Sequence, residues 1–313
     1  MRITYVGDSA YCYANSLAMC LRAVGTNRIP EPGFLECLTT MPFGALYLRQ
    51  DDQPLLLFSS PGVTPETGLD RALTCLGWIC DERRGGDPID TIAWLREVAP
   101  RGPVLAGPVD LGCLSYAPGH QYLAGVDHCV VVLGVEDDVV RLHDPRGYPC
   151  VTIPVPDFVE AWRAEKVSYP HAPFTARTNF RTNTRRDRQA MIRAALPIIR
   201  ASVAADPGGP VAFGSVRALR LAAENLRGGA PTSLAGHLVH FALPLAARHS
   251  VDASAFFEEA GIFNGAAFLE QQARWFGEAA YPARQDHWEE VARLLEQIAS
   301  LHPKLISALD AAI

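Results

Sequence analysis

Residues 127–147 read DHCVVVLGVEDDVVRLHDPRG. The run Cys129–Val135 is rich in β-branched residues and leads into an acidic turn, after which Val139–His143 is again largely apolar. This pattern predicts two antiparallel strands joined as a hairpin. Because the start of one strand and the end of the next lie side by side in a hairpin, we expect His128 and Asp144 to be neighbours.

A histidine next to an aspartate can act as a general base with its orienting group. A carboxylate that accepts a hydrogen bond from the ring fixes the imidazole tautomer and supports its charged form. His143 is the competing base, but strand alternation predicts that its side chain points away from Asp144. The pairs Asp127–His128 and His143–Asp144 could in principle ligate a metal, but ordinary sites need three or four convergent ligands, and we predict no metal.

A second informative segment, residues 7–21, reads GDSAYCYANSLAMCL. Its apolar spacing predicts an amphipathic helix over Ser9–Val24. Cys12 then lies in the first turn, where unpaired backbone N–H groups and the helix dipole favour a thiolate. Cys20, two turns later, is interpreted as a buried and inert thiol, which is the usual role of a lone cysteine in a helix. The order Cys–His–Asp predicts a nucleophile, a base and an orienting acid.

Composition argues against several functional classes. The net charge is −6 without a long basic block, which disfavours a nucleic-acid binder. The eight cysteines are scattered without a C-x-x-C pair, so a zinc ribbon is not predicted. The N-terminus lacks the features of a signal peptide, and no window approaches the roughly 20 apolar residues of a membrane span. We therefore predict a cytoplasmic protein with reduced thiols and no membrane contact.

The pattern of the chain changes near residue 175. Residues 1–175 are predicted to form an α+β domain, which also contains a helix over Ile89–Val98 and a strand over Pro103–Ala106. Residues 175–188 read TARTNFRTNTRRDR and are interpreted as a solvated linker, although their positive charge could also meet an acidic partner or a phosphate. Residues 185–313 are predicted to form an all-helical domain.

Five helices are predicted in this second domain: Ala190–Ala204, Val216–Asn225, Leu234–His249, Ala267–Glu278 and His287–Asp310. His237, His240 and His249 lie there at helical spacing, and we interpret them as packing or surface residues.

The segments quoted above resemble the family of butirosin biosynthesis protein H, an antibiotic acyltransferase. The further matching segments are GPVLAGPVDLGCLSY at 102–116, TIPVPDFVEAW at 152–162, GAAFLEQQARWFGEAA at 265–280 and HWEEVARLLEQIA at 287–299. The N-terminal half is also similar to bacteriocin-processing papain-like peptidases, which share the order of the three residues. The resemblance implies a papain-like fold for 1–175 and an accompanying helical domain for 185–313.

The resemblance implies transfer of an acyl group from an acyl carrier protein thioester, through an acyl-cysteine, to a small-molecule amine in specialised metabolism. Cys12 would carry the acyl group, His128 would move the proton and Asp144 would orient His128. The donor is an acyl-phosphopantetheine thioester, no bound cofactor is expected, and a homo-oligomer is a possible assembly. The alternatives are a thioesterase or cyclase, a cysteine peptidase or amidase, and a non-catalytic module that binds a carrier protein or a peptide.

Papain-like enzymes usually place a glutamine about six residues before the nucleophile, but Val6 occupies that position here. We consider Asp8, Ser9 and Asn15 as substitutes in the oxyanion site, with first-turn backbone N–H groups as the alternative. A predicted loop over Asp110–Tyr122 places three candidate substrate contacts near the cleft, with plain loop packing as the alternative. These candidates are Tyr116, His120 and Tyr122.

Overall fold

The computed structural model describes residues 3–8, 10–25, 29–49 and 53–313, and its backbone divides into two compact units. The first unit comprises Met1–Leu35 and Gly77–Arg185, and the second comprises Glu36–Leu76 and Arg186–Ile313. The division at Arg185 lies where the sequence predicted the start of the second domain. Residues 36–76, however, group with the C-terminal part of the chain and not with the N-terminal domain in which the prediction placed them.

The strands of the described residues, in chain order, are β1 (Leu46–Leu48), β2 (Leu55–Leu57), β3 (Trp78–Arg83), β4 (Val104–Asp110), β5 (Asp127–Glu136), β6 (Val139–Asp144), β7 (Tyr148–Pro154), β8 (Ala176–Thr182) and β9 (Ala212–Gly214). The α-helices are α1 (Cys12–Ala23), α2 (Pro32–Thr39), α3 (Pro65–Leu76), α4 (Pro88–Val98), α5 (Val155–Arg163), α6 (Arg188–Ala204), α7 (Ser215–Leu226), α8 (Thr232–His237), α9 (Leu243–Glu259), α10 (Phe263–Arg284) and α11 (Trp288–Asp310).

The first unit is built on a six-stranded antiparallel sheet with the spatial order β3-β8-β4-β5-β6-β7. The predicted hairpin is present as β5 and β6, whose turn places Asp137 at a φ of 48°. Strand β5 is central and buried on both faces, because Val130 and Val132 pack with α4 and α5 while Cys129 and Val131 are equally buried. A strand covered on both sides needs a continuous apolar sequence, as this one has.

The predicted linker is partly a strand, so the prediction was wrong for residues 176–182. Strand β8 pairs with β3 on one side and with β4 on the other. Its arginines face acids of β3: Arg181 contacts Asp81 at 2.7 Å, and buried Arg177 lies 3.4 Å from Glu82. Ion pairing across strands therefore accounts for a polar composition that resembled a solvated connector.

The second unit is mostly helical, but it also contains a three-stranded antiparallel sheet of order β2-β1-β9. The prediction of an all-helical domain was therefore wrong in this detail. Its core joins buried residues of β1, β2 and β9 to α7, α10 and α11. The predicted helix Leu234–His249 is divided into α8, a π-helical turn over Leu238–Ala242, and α9.

Within the described ranges, no helix combines the length and the apolar content that a membrane span needs.

Candidate active site

His128 and Asp144 meet at one end of the β5–β6 hairpin. The ring Nε2 lies 2.6 Å from Asp144 Oδ1, and the two residues are 4% and 0% exposed. The strand register explains the contact. Val131 is aligned with His143, so Asp144 comes opposite Val130, and His128 lies two residues further along the same face. Diagonal cross-strand neighbours are within reach of long side chains.

The carboxylate of Asp144 has two further donors. Tyr116 donates its hydroxyl to Oδ2 at 2.9 Å, and the backbone N–H of Arg146 donates to Oδ1 at 2.7 Å. Burial opposes ionisation of Asp144, but the hydrogen bonds from His128, Arg146 and Tyr116 outweigh it and lower the pKa of this carboxyl. An ionised Asp144 accepts from Nε2–H, so Nδ1 of His128 is the nitrogen that can take a proton from a thiol.

Tyr116 thus has a different role from the predicted one. Its hydroxyl supports Asp144, and burial followed by the nearby Asp144 charge raises the pKa of Tyr116, which keeps it a donor. Of the other predicted substrate contacts, His120 donates from Nδ1 to the carbonyl of Gly112 at 2.6 Å, whereas Tyr122 is 85% exposed. No local sequence signal links Tyr116 to Asp144, because the contact depends on how the loop before β5 folds back.

Cys12 is the first residue of α1 and is partly exposed. The N-cap residue, Tyr11, makes no side-chain capping hydrogen bond to the helix. First-turn N–H groups have no intrahelical acceptor in any α-helix, so those of α1 can face an anion. Cys20 on the same helix is 0% exposed, and burial raises its pKa well above the ordinary value, as expected for an inert core thiol.

Two hydrogen bonds hold the amino end of α1 against the start of β5. Tyr13, the residue after Cys12, donates its hydroxyl to Asp127 Oδ2 at 3.1 Å. Ser16, one turn later, donates to the carbonyl oxygen of Cys129 at 3.3 Å. The residues that flank His128 in sequence are therefore those that receive the first turns of the cysteine helix.

The predicted oxyanion residues organise the loop before Cys12. Asp8 Oδ1 accepts from the backbone N–H of Ala10 at 3.1 Å and from Asn15 Nδ2 at 2.8 Å. The Asp8 carboxylate can only accept, so it does not suit an oxyanion, and one of the two N–H donors of Asn15 is occupied by Asp8. Ser9 lies outside the described residues. Backbone N–H groups at the start of α1 remain the better candidates.

Both ring nitrogens of His143, the competing base, make hydrogen bonds to backbone groups away from Asp144. Its Nδ1 accepts from the backbone N–H of Cys150 at 3.0 Å, and its Nε2 donates to the carbonyl of Ile3 at 3.1 Å. Burial lowers the pKa of His143. The ring is therefore held neutral with both nitrogens occupied, and the N-terminal segment is bound along β6. Tyr5 extends this contact by donating to the carbonyl of Asp144 at 3.0 Å.

Among the described residues, no three His, Cys, Asp or Glu side chains converge so that they could hold a metal ion.

Two comparisons with known proteins match parts of the chain. A family model, the YobF C-terminal domain, matches residues 210–310, which lie outside the Cys12, His128 and Asp144 positions. The chain is also similar to "Uncharacterized protein YobF" of Bacillus subtilis (strain 168), with 34% identity over 168 residues, covering 53% of this chain and 52% of that protein. The chain thus spans about half the length of this curated relative, and the comparisons describe likeness to YobF without naming an activity.

Proposed function

We propose that the chain is a papain-like, cysteine-dependent acyltransferase that moves an acyl group from a carrier-protein thioester through Cys12 to an amine. One observation carries the proposal: the buried 2.6 Å contact between His128 and Asp144, placed where β5 receives the first turn of the cysteine helix. A histidine oriented by a carboxylate beside a thiol at a helix N-terminus is the arrangement that activates a cysteine nucleophile.

The first half of the reaction loads the enzyme. His128 Nδ1 takes the thiol proton, and the Cys12 thiolate attacks the carbonyl carbon of the thioester. The tetrahedral oxyanion that results is stabilised by first-turn N–H groups of α1. Collapse breaks the bond to the donor sulfur, and the imidazolium of His128 protonates the departing thiolate. The products are an S-acyl Cys12 and the free thiol of the donor.

The second half transfers the acyl group. An amine attacks the acyl-cysteine carbonyl while His128 accepts a proton from the nitrogen, and the Cys12 thiolate leaves as the amide forms. Asp144 keeps its charge and holds the ring in one orientation through both halves. A thioester has a better leaving group than an amide, so this chemistry tolerates an oxyanion site without a dedicated glutamine.

Acyl-enzyme formation is the direct test. The purified chain is incubated with butyryl-CoA, quenched in acid and measured by intact mass, and the modified residue is located by peptide mapping. We expect a butyryl adduct on Cys12 that hydroxylamine removes. Cys12→Ala abolishes the adduct, whereas Cys20→Ala, which changes the buried thiol on the same helix, retains it.

The other outcomes identify the alternatives. Adding a primary amine and measuring amide against free acid separates a transferase from a thioesterase or cyclase. Failure to form an adduct with acyl-CoA and with acyl-pantetheine, together with cleavage of peptide substrates, would replace the proposal by a cysteine peptidase. Carrier-protein binding without either reaction would indicate a binding module.

The proposal also covers the acyl donor, the acceptor, the metabolic role and the cellular location. A carrier protein as acyl donor, a small amine as acceptor and a place in specialised metabolism follow from the resemblance to the butirosin family. We also propose a cytoplasmic location, because all eight cysteines lie in the described part of the chain and no disulfide joins any two of them.

A further inference from the structure

The second unit contains a cavity of about 460 Å³ between the end of α6, the start of α7 and α11. All of its lining residues belong to this unit, and the reaction steps derived above use none of them. Its volume lies in the range of cavities that hold small organic molecules.

The lining of the cavity has an apolar part and a basic part. The basic part consists of Arg217 and Arg220, which lie three residues apart on α7 and therefore on one side of that helix. A lining of this kind suits a ligand that is apolar along its body and anionic at one end. The apolar part is formed by side chains of α6, α7 and α11, namely Val203, Val216, Leu221 and Ile306.

Arg220 has no partner inside the protein. Among the described residues, no acid lies within 4 Å of its guanidinium group, and it makes no hydrogen bond or ring contact. Glu224 lies one turn further along α7, at the usual spacing of an ion pair, but it does not contact Arg220. The five N–H donors of Arg220 are therefore available to an external anion.

Arg217 is held at the cavity by an aromatic ring. Its guanidinium carbon lies 4.4 Å from the centroid of buried Phe213, and that of Arg49 lies 5.0 Å from the same centroid. The carboxylate in the lining, Asp206, is 3.8 Å from Arg217, and its Oδ1 accepts the backbone N–H of Gly214 at 3.0 Å. The arginines thus outnumber the carboxylate, although the whole chain has a net charge of −6.

The walls of the cavity are fixed by contacts within the protein. The hydroxyl of Ser215, at the start of α7, donates to the carbonyl of Val203 on α6 at 2.6 Å. The backbone of Gly214 lies so close to the preceding loop that a Cβ atom there would be 2.3 Å from the carbonyl oxygen of Ala205. The two segments that carry the lining therefore hold their spacing without a ligand.

We propose that this cavity binds an amphipathic organic anion. Arg217 and Arg220 hold a carboxylate or phosphate monoester head, and the hydrocarbon chain lies against the apolar side chains of α6, α7 and α11. The planar guanidinium group pairs with both kinds of head through two parallel hydrogen bonds. The inference goes beyond the cysteine chemistry and does not depend on it.

The test is isothermal titration calorimetry of the full chain with octyl phosphate. We expect saturable binding at one site per chain. Inorganic phosphate lacks the chain and octylamine has the opposite charge, so each should bind weaker by about tenfold or more. Octanoate is titrated in parallel, and the tighter of the two anions identifies the head group as a carboxylate or a phosphate monoester.

Arg220→Gln should weaken binding of octyl phosphate by about tenfold, since a charged hydrogen-bonding group is lost. Its fold is expected to be intact, because Arg220 makes no internal contact. Arg217→Gln should have an effect of similar size. Arg293→Gln is the matched control, because it changes an exposed arginine that lines a different cavity of the same unit, and it should bind like wild type.

Three results would overturn the inference: no saturable binding of either anion, equal binding of octylamine, or an unchanged affinity in Arg220→Gln. If Arg217→Gln does not fold, Arg220→Gln decides alone. Cys12→Ala should bind octyl phosphate like wild type. Binding without a butyryl adduct on Cys12 would therefore support this site and reject the acyltransferase, and an adduct without binding would do the reverse.

Discussion

Among the described residues there are two buried histidine–carboxylate pairs, one in each unit, and they differ in what surrounds them. In the first unit His128 lies 2.6 Å from Asp144, and in the second unit His249 on α9 lies 3.1 Å from Glu36 on α2. All four residues are less than one-tenth exposed. The pair itself therefore does not distinguish a reactive site from a structural one.

A cysteine is associated with each pair: Cys37 follows Glu36 in the chain, and Cys12 precedes Tyr13, which donates to Asp127 next to His128. The two thiols differ. Cys37 is 0% exposed and has a pKa raised well above its ordinary value by burial and then by the charges of Asp252 and Glu36. Cys12 is partly exposed at the start of a helix whose N-cap side chain makes no capping bond. The thiol next to the second pair thus has neither solvent access nor a place at the positive end of a helix.

From this comparison we propose that the backbone around a polar pair decides its role. The first pair lies at a strand end that receives the start of a helix through Tyr13 and Asp127. The second pair joins two buried side chains of α2 and α9, where a polar pair contributes to stability and to specific packing. We expect changes in the first pair to alter activity and changes in the second to alter stability.

The largest effect is expected from His128→Gln. Loss of the base should lower the rate of thiol release from butyryl-CoA by about 10³-fold, which corresponds to ~4 kcal/mol in the activation barrier. The rate is measured with a thiol-reactive dye under saturating donor. An activity within a few fold of wild type would show that the two pairs do not differ in the way proposed.

His249→Leu is expected to lower the free energy of unfolding of the second unit by about 3 kcal/mol, because Glu36 loses its buried partner. The double variant Glu36→Met/His249→Leu should recover most of this loss, since an apolar pair replaces the hydrogen-bonded polar one. Urea unfolding followed by far-ultraviolet circular dichroism measures both. Cys12 alkylation in the single variant should match wild type, and a large drop there would contradict the structural role.

Another buried histidine, His302, extends the comparison to pH. His302 on α11 is fully buried, its Nδ1 has no hydrogen-bond partner among the described residues, and burial lowers its pKa from 6.5 to about 4. Between these two pKa values His302 is protonated in the unfolded chain and neutral in the folded chain. The free energy of unfolding therefore falls as the pH drops from 6.5 towards 4. At pH 5 this amounts to about 2 kcal/mol.

His302→Leu should therefore reduce the loss of stability between pH 7 and pH 5 by about 2 kcal/mol, with His240→Gln as the control at an exposed position. Urea titrations at the two pH values provide the measurement. An identical pH dependence in His302→Leu and wild type would mean that burial does not hold this ring neutral.

Elements with a strong local period were predicted correctly from the sequence. The β5–β6 hairpin, α1, α4, α6, α7 and α11 lie within a few residues of their predicted positions. Helices α9 and α10 are longer than predicted, since α9 continues to Glu259 and α10 spans Phe263–Arg284. The contact between His128 and Asp144 was also predicted, because hairpin geometry alone brings these positions together. Local pattern was sufficient wherever the partners are adjacent in the chain.

The remaining features depend on distant partners and had no local signal. Strands β1, β2 and β9 are three residues each, and their pairing joins segments more than 150 positions apart. The polar strand β8 is stabilised by acids of β3, and Tyr116 reaches Asp144 only through the fold of its loop. Tyr13 lies inside the predicted helix, and no local signal indicates that its hydroxyl links α1 to β5.

The division of the chain into units has a consequence for synthesis and for dissection. The polypeptide passes between the two units three times, after Leu35, Leu76 and Arg185. During synthesis, residues 36–76 can therefore complete their fold only after the C-terminal helices have been made. Until then the apolar side chains of β1 and β2 stay exposed to solvent. A fragment that ends at residue 185 lacks the helices against which residues 36–76 pack. We expect this fragment to aggregate unless residues 36–76 are replaced by a short loop.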